Sequence, residues 1–285
     1  MKKLIPYFFL LPYFLLLLFF AIIPIIFAII VSFTDAYVGG FAGIYNYILV
    51  LEDYRILDAT KNVALYIFIW IPMMALCIIM LSIMLQSVTE SNSRILRLSY
   101  YLPGAFTTSA LALLWLFLLD PNVSPFSFIW NLFEWKSKFD VMNGLSYAGT
   151  FALMAFFANI GGWIIVTHGS LTSISSEIIE ASTIDGCSPF RLALHIKIPM
   201  IFRTIALMVI LSLAGGIQLF VEPQLINLAS TTNSSADWSL NQIAYEYAFV
   251  VGDFGVSIAL SMLMLLFSLF LAILIIWKTN FYRIN

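Results

Sequence analysis

Long apolar runs recur along the whole chain, at roughly 8–32, 62–87, 103–119, 145–167, 201–221 and 255–277. All but the third reach the ~20 residues that a helix needs to cross the ~30 Å hydrocarbon layer of a bilayer. The third is the shortest and extends backwards through Tyr100, Tyr101 and Leu102. Apolar residues make up 62% of the chain and charged residues 10%, against about 45–50% and 25% in ordinary globular proteins. That excess of apolar surface has to face lipid. The expected fold class is therefore all-α and polytopic, a single transmembrane domain over 1–285 with six membrane helices. Pro6, Pro12 and Pro24 in the first run predict kinks or a late helix start, since proline removes a donor and crowds the preceding turn.

Lys2 and Lys3 followed by an apolar run look like a secretory signal, but the run continues over 4–33 without a small-residue cleavage site. It is expected to be a retained first span. The net charge of −2 gives no argument for a nucleic-acid partner. The two cysteines, Cys77 and Cys187, make neither a disulfide framework nor a zinc site.

Lys and Arg in the connecting segments set the expected orientation. With the N-terminus inside, the inner side carries Lys2, Lys3, Arg94, Arg97, Arg191, Lys197, Arg203, Lys278 and Arg283. The outer side carries Arg55, Lys61, Lys136 and Lys138. Both termini and the polar segment at 173–199 are then cytoplasmic.

That segment concentrates ionisable residues between two apolar runs. It reads Glu180-Ala181-Ser182-Thr183-Ile184-Asp185-Gly186-Cys187, with Ile196-Lys197-Ile198-Pro199 ten residues beyond Gly186. Ser175 or Ser176 is placed to cap a first helix, and Gly186 to end it in a left-handed conformation. Ser188 and Pro189 form a favoured helix start, and Pro199 is expected to stop the second helix. A helix-break-helix outside the bilayer is a lever, because a partner that moves it moves the attached spans.

The segment resembles the "EAA" loop of ABC importer permeases, E-A-A-x-x-x-G followed by I-x-L-P. Ser182, Cys187 and Ile198 stand where that pattern usually has Ala, Ala and Leu. Further elements resemble the sugar branch of these permeases: Ser32-Phe33-Thr34, then Phe41-Ala42-Gly43-Ile44-Tyr45-Asn46-Tyr47, Asn62, Leu102-Pro103 with Trp115 and Pro121, Tyr247-Ala248-Phe249 and Phe254-Gly255. A Gly-Gly-Pro frequent in relatives after the fifth span is replaced by the polar run 230–235.

The resemblance implies a type I ABC importer permease fold and a non-catalytic subunit of the prokaryotic inner membrane. In that reading Glu180, Ala181, Ser182, Asp185, Gly186, Ile196 and Pro199 form the coupling contact. Two ATP-binding subunits hold ATP and Mg, and no cofactor is expected in this chain. A second homologous permease, an extracytoplasmic solute-binding protein and membrane lipid complete the partners. The implied solute is a mono- or oligosaccharide, with glycerol-phosphate or another polyol derivative as the alternative.

Independently of the resemblance, no glycine here is followed by lysine, so the chain lacks a Walker A phosphate loop. Polar groups inside membrane helices are costly and hence functional candidates. Gln218 and Glu222 share one helix face at i and i+4, and Asn159 and Trp163 lie in the fourth run. These four are the substrate-path candidates, with helix–helix hydrogen bonding as their other reading. An ion-coupled secondary transporter would want buried acids within its spans, yet nearly all acids here fall between the runs. An intramembrane enzyme would want a His/Asp/Glu constellation or a Ser-His pair at membrane depth, and no run has a histidine at its centre.

Overall fold

The computed structural model describes residues 5–35, 39–229 and 237–279. Lys2, Lys3 and Arg283, used for the orientation, and the polar run 230–235 lie outside these residues. Among the described residues, five helices are long and apolar enough to cross a membrane: Phe9–Ser32, Tyr54–Leu85, Tyr147–Thr172, Phe202–Leu228 and Phe254–Lys278. The first is built from α1 (Ile5–Leu17), a π turn at Leu18–Ile22 and α2 (Ile23–Ser32). The π turn sits just ahead of Pro24, which lacks the N–H that a regular turn would use.

The third predicted span differs from expectation. After α3 (Tyr45–Glu52), α4 (Tyr54–Leu85) and α5 (Glu90–Tyr101) comes a tight turn at Pro103–Ala105, then α6 (Thr108–Leu118). At about 1.5 Å per residue, the 11 residues of α6 reach roughly half the hydrocarbon thickness. Pro103 and the Thr107 hydroxyl, which accepts from the Ala110 N–H to cap α6, divide one apolar run into two helices. Short helices α7 (Ser127–Leu132) and α8 (Lys138–Leu145) then lead into α9 (Tyr147–Thr172).

The core forms around α9, which packs mainly on α4. Tyr66, Met74 and Ile78 from one helix meet Phe151, Met154 and Ile164 from the other, all essentially without solvent exposure. At Gly161 the backbone of α9 touches that of Tyr100 and Tyr101 so closely that a Cβ would overlap it. Small residues permit such approach where lipid offers no hydrophobic drive for association. Trp238 is buried edge-on against Phe151, with ring centroids 4.7 Å apart.

The chain continues through α10 (Ser176–Ile184), α11 (Pro189–Leu192), α12 (Ile198–Met200), α13 (Phe202–Ile217) and α14 (Val221–Leu228). It ends with α15 (Leu240–Glu246) and α16 (Phe254–Lys278). Three sequence elements far apart in the chain meet beside the start of α16. The Asn46 side-chain amide donates to the carbonyls of Ser32 and Thr34 at 2.9 and 2.8 Å. The Tyr47 and Ser32 hydroxyls are 2.8 Å apart, and a Cβ on Gly255 would press on Asn46 and on the Thr34 carbonyl. Buried backbone carbonyls need donors, and Asn46 supplies two bonds from one amide.

Candidate functional site

Helices α10 to α12 contain no buried residue, so their geometry is set locally. Ser175 occupies the N-cap of α10 without a side-chain cap bond, whereas the Ser188 hydroxyl accepts from the Arg191 N–H to start α11. Between them Gly186 has φ +77°, in the left-handed region open to glycine at little cost. Its N–H donates to the Thr183 carbonyl, and that of Cys187 to Ser182, each at 3.0 Å. These bonds satisfy the last carbonyls of α10. Glu180, Ala181 and Ser182 thus lie on α10, with Asp185 and Gly186 at its break.

Pro199 does not stop the second helix. A π turn over Ala193–Lys197, which holds Ile196, runs directly into α12, and the break comes at Ile201. The wider turn accommodates a proline that has no N–H to donate. The segment is rooted at both ends. Leu171, Ile174 and Ile201 form a small apolar cluster packed against Ile83, Ile179 and Ile205. The Lys197 ammonium donates to the Gln86 side chain at the end of α4, at 2.6 Å, and burial lowers its pKa below the usual lysine value. Outward, the segment exposes Ile184 and Phe190, at 86% and 76%.

The four in-span candidates converge. Asn159 and Trp163 from α9, with Gln218 and Glu222 from the α13–α14 junction, line one cavity of about 340 Å³. Tyr66 and Trp70 of α4 complete its wall as a stacked pair 5.4 Å apart, together with Ser212. These three were not singled out from sequence. Tyr66 and Trp70 are aromatic residues in an apolar run, and only their spacing of one turn signals a shared face. Among the described residues, the Trp70 Nε1 and Ser212 Oγ atoms are buried without a hydrogen-bond partner. The Asn159 amide donates to the Ala155 carbonyl at 2.8 Å, which leaves its oxygen free to accept. Glu222 is the one ionisable acid in this lining, and no Lys, Arg or His joins it. A second cavity of about 290 Å³, lined by Tyr101, Gly104 and Gly162, shares Asn159 and Trp163 with the first. These two side chains therefore border both spaces.

A charged cluster joins the start of α4 to α15. Arg55 contacts Asp53 at 2.8 Å, Glu246 at 2.7 Å and Asp237 at 3.4 Å, and lies over the Tyr247 ring. The Tyr247 hydroxyl donates to Asp53 at 2.7 Å. Burial raises the Asp53 carboxyl, but bonds from the Arg55 side chain and backbone and from Tyr247 outweigh it and hold the pKa below the usual value.

The whole fold superposes on that of a bacterial ABC transporter involved in importing the acidic polysaccharide alginate, with TM-score 0.83 over 99% of this chain and 97% of that one, at 16% identity. A structure of a bacterial alginate ABC transporter in complex with alginate pentasaccharide-bound periplasmic protein gives TM-score 0.82, with 99% and 96% covered at 16% identity. The chain thus has the fold of an ABC transporter permease, a non-catalytic multi-pass membrane subunit, and the curated proteins it resembles are permeases as well.

Among curated proteins it is similar to the arabinooligosaccharides transport system permease AraP of Bacillus subtilis, 24% identical over 273 residues, 93% of this chain and 85% of that protein. It is also similar to the multiple sugar-binding transport system permease MsmF of Streptococcus mutans, 27% identical over 128 residues. That match covers 45% of this chain and 43% of MsmF, so it spans less than half of either. A stretch of 112 residues is 30% identical to the maltose/maltodextrin permease MalF of Escherichia coli, covering 36% of this chain and 22% of MalF. No family model matches the chain.

Proposed function

We propose that this chain forms one transmembrane half of an ATP-driven importer that moves an uncharged oligosaccharide by alternating access. The observation that carries the reading is the cavity itself. Residues 66, 70, 159, 163, 212, 218 and 222 come together from four helices around a space with an aromatic face and several polar groups. Sugars are held by that combination. An acid without a neighbouring base in the lining disfavours glycerol-phosphate or any other anion, because burying like charges together is costly. Relatives whose names include arabinooligosaccharides, maltose and maltodextrin support a carbohydrate.

In this reading the chain sits in the inner membrane with both termini cytoplasmic. The third crossing is discontinuous, made from the end of α5, the Pro103 turn and α6. A second permease closes the pathway from the other side, and a solute-binding protein delivers sugar from outside. Two ATPase subunits grip α10 to α12, with Glu180, Ala181, Ser182, Asp185 and Gly186 in the contact and Ile196 and Pro199 behind it. Closure of the ATPases moves the segment as a lever, and the link from Lys197 to Gln86 carries that motion to α4. Asn159 and Trp163, bordering both cavities, pass the solute between them.

The test is reconstitution of the complete importer with a panel of neutral, cationic and anionic sugars. ATP hydrolysis stimulated by a neutral oligosaccharide and its binding protein is expected, with the Michaelis constant raised about tenfold or more in Gln218→Ala, roughly the loss of one well-formed hydrogen bond to a buried group. Uptake of anionic sugars alone would overturn the solute class. Transport without ATP would overturn the coupling.

A further inference from the structure

A row of aromatic side chains leaves the solute cavity and continues beyond it. Phe220 lines that cavity. Its ring lies 5.3 Å from Tyr245, which lies 4.9 Å from Phe249, which in turn lies 6.2 Å from Phe254. The last three rings are 40%, 70% and 51% exposed. Tyr245 and Phe249 border a third space of about 290 Å³, which Phe220 also lines, together with Asn241, Ser257 and others, and none of its lining residues is charged; Phe254 extends the row beyond it. On α15 and the π turn that follows it at Tyr247–Val251, Asn241, Tyr245 and Phe249 recur every fourth residue and so share one face. The Asn241 amide donates to the Gln218 carbonyl at 2.7 Å, which leaves the Asn241 oxygen to accept. The Ser257 hydroxyl donates to the Ala244 carbonyl at 2.7 Å and retains its own acceptor capacity.

We propose that Phe220, Tyr245, Phe249 and Phe254 form a second carbohydrate-binding track that conducts a neutral oligosaccharide along this face into the cavity. The proposal rests on the carbohydrate reading of the cavity. An aromatic face carries a negative quadrupole, to which the polarised C–H groups of a pyranose or furanose face are attracted, while the sugar hydroxyls find acceptors at the groove edge. The exposure of the last three rings, rather than their spacing, separates this row from a closed aromatic core. A moving sugar can therefore exchange one ring for the next without passing through bare solvent. Continuity through Phe220 favours sugar over a second permease as the occupant, since a covering helix would seal the way into the cavity.

The experiment uses the complete importer in proteoliposomes containing ATP. Tyr245, Phe249 and Phe254 are replaced by Leu singly and together, which keeps apolar volume and removes the flat π face. Uptake is measured for maltotriose, raffinose and arabinotriose and for glucose, galactose and arabinose. In the triple variant the Michaelis constant for the transported trisaccharide is expected to rise about 3- to 30-fold, as lost aromatic contacts of this size imply. The monosaccharide should change less, the partner permease should still co-purify, and Phe249→Trp should restore uptake in the single-variant background. Equal effects on both chain lengths, or unchanged uptake, would overturn the track. Loss of co-purification would also overturn it and assign the row to the subunit interface. If the wild-type importer moves no sugar while retaining ATP-driven uptake of another solute, the carbohydrate reading itself falls, an outcome separate from failure in the variants alone.

Discussion

The segment α10–α12 and the central cavity are built in opposite ways. The first has no buried residue. Its shape depends on neighbours within a few positions: one positive-φ glycine, one serine cap and a π turn. The second has walls from residues 66 to 222, and its shape depends on α4, α9 and α13 packing correctly. A local device tolerates change elsewhere in the molecule but fails at its own hinge. A cavity made by tertiary packing tolerates change in its lining but fails where the helices meet.

The sharpest way to break this contrast is at Gly186. At φ +77° with open space around a Cβ placed there, a Val side chain opposes the left-handed backbone by more than the ~1–2 kcal/mol that a residue with a Cβ ordinarily costs there. Gly186→Val is expected to cut ATP-driven uptake at least about tenfold, while the melting temperature in detergent falls by only about a few degrees. Gly186→Asn, which adopts that conformation more readily, should retain much of the activity. Equal loss in both variants would show that space rather than backbone conformation matters.

Gly161 should behave conversely. A Cβ there overlaps backbone atoms of Tyr100 and Tyr101, and backbone cannot rotate aside as a side chain can. Gly161→Val is expected to destabilise the protein by about 1–3 kcal/mol, read as a lowered thermal midpoint. Gly162→Ala, with open space around it, should leave that midpoint nearly unchanged.

A smaller effect follows from the cluster around Arg55. The Asp53 pKa is lower folded than unfolded, so its stabilising contribution is present above about pH 4, the ordinary carboxylate value. It is lost as pH falls through the folded value. Unfolding followed from pH 7 down to 3 should show acid sensitivity that is diminished in Asp53→Asn. An identical pH profile would exclude this cluster as a source of acid stability.

The smallest expected change is at Lys197, whose bond to Gln86 joins the two regions. Lys197→Met should cost about 1 kcal/mol or less, a typical net hydrogen bond. It should lower the solute moved per ATP more than it lowers ATP hydrolysis. A proportionate fall in both would sink the strut role given to this bond. Because burial lowers the Lys197 pKa, the charged form is disfavoured in the folded state. Stability should rise as pH increases from the folded towards the unfolded value, and this rise should disappear in the Met variant.

Much of this was legible in the residues, for reasons that differ by region. The break at Gly186 follows from backbone chemistry within one turn, and the long helices follow from apolar length alone. Two local readings failed because a neighbouring turn type was invisible. The π turn at Ala193–Lys197 carries the helix through Pro199, and the Thr107 cap divides the third apolar run. For the cavity, Asn159, Trp163, Gln218 and Glu222 stood out because polar and large amphipathic groups are expensive in a membrane helix. Tyr66, Trp70 and Ser212 did not, since nothing in an apolar run marks which side a residue faces.

By itself the sequence determined that the chain is helical and lives in a bilayer, because 62% apolar residues in long runs leave no other way to satisfy backbone hydrogen bonds away from water. It also determined the local hinge of the polar segment. Only the tertiary structure decided that four scattered polar residues share one cavity, and that Ser32, Asn46 and Gly255 meet at one point. Such convergence depends on the angles and rotations at which helices pack. Those are set by side-chain contacts between positions distant in the chain, and no local spacing encodes them.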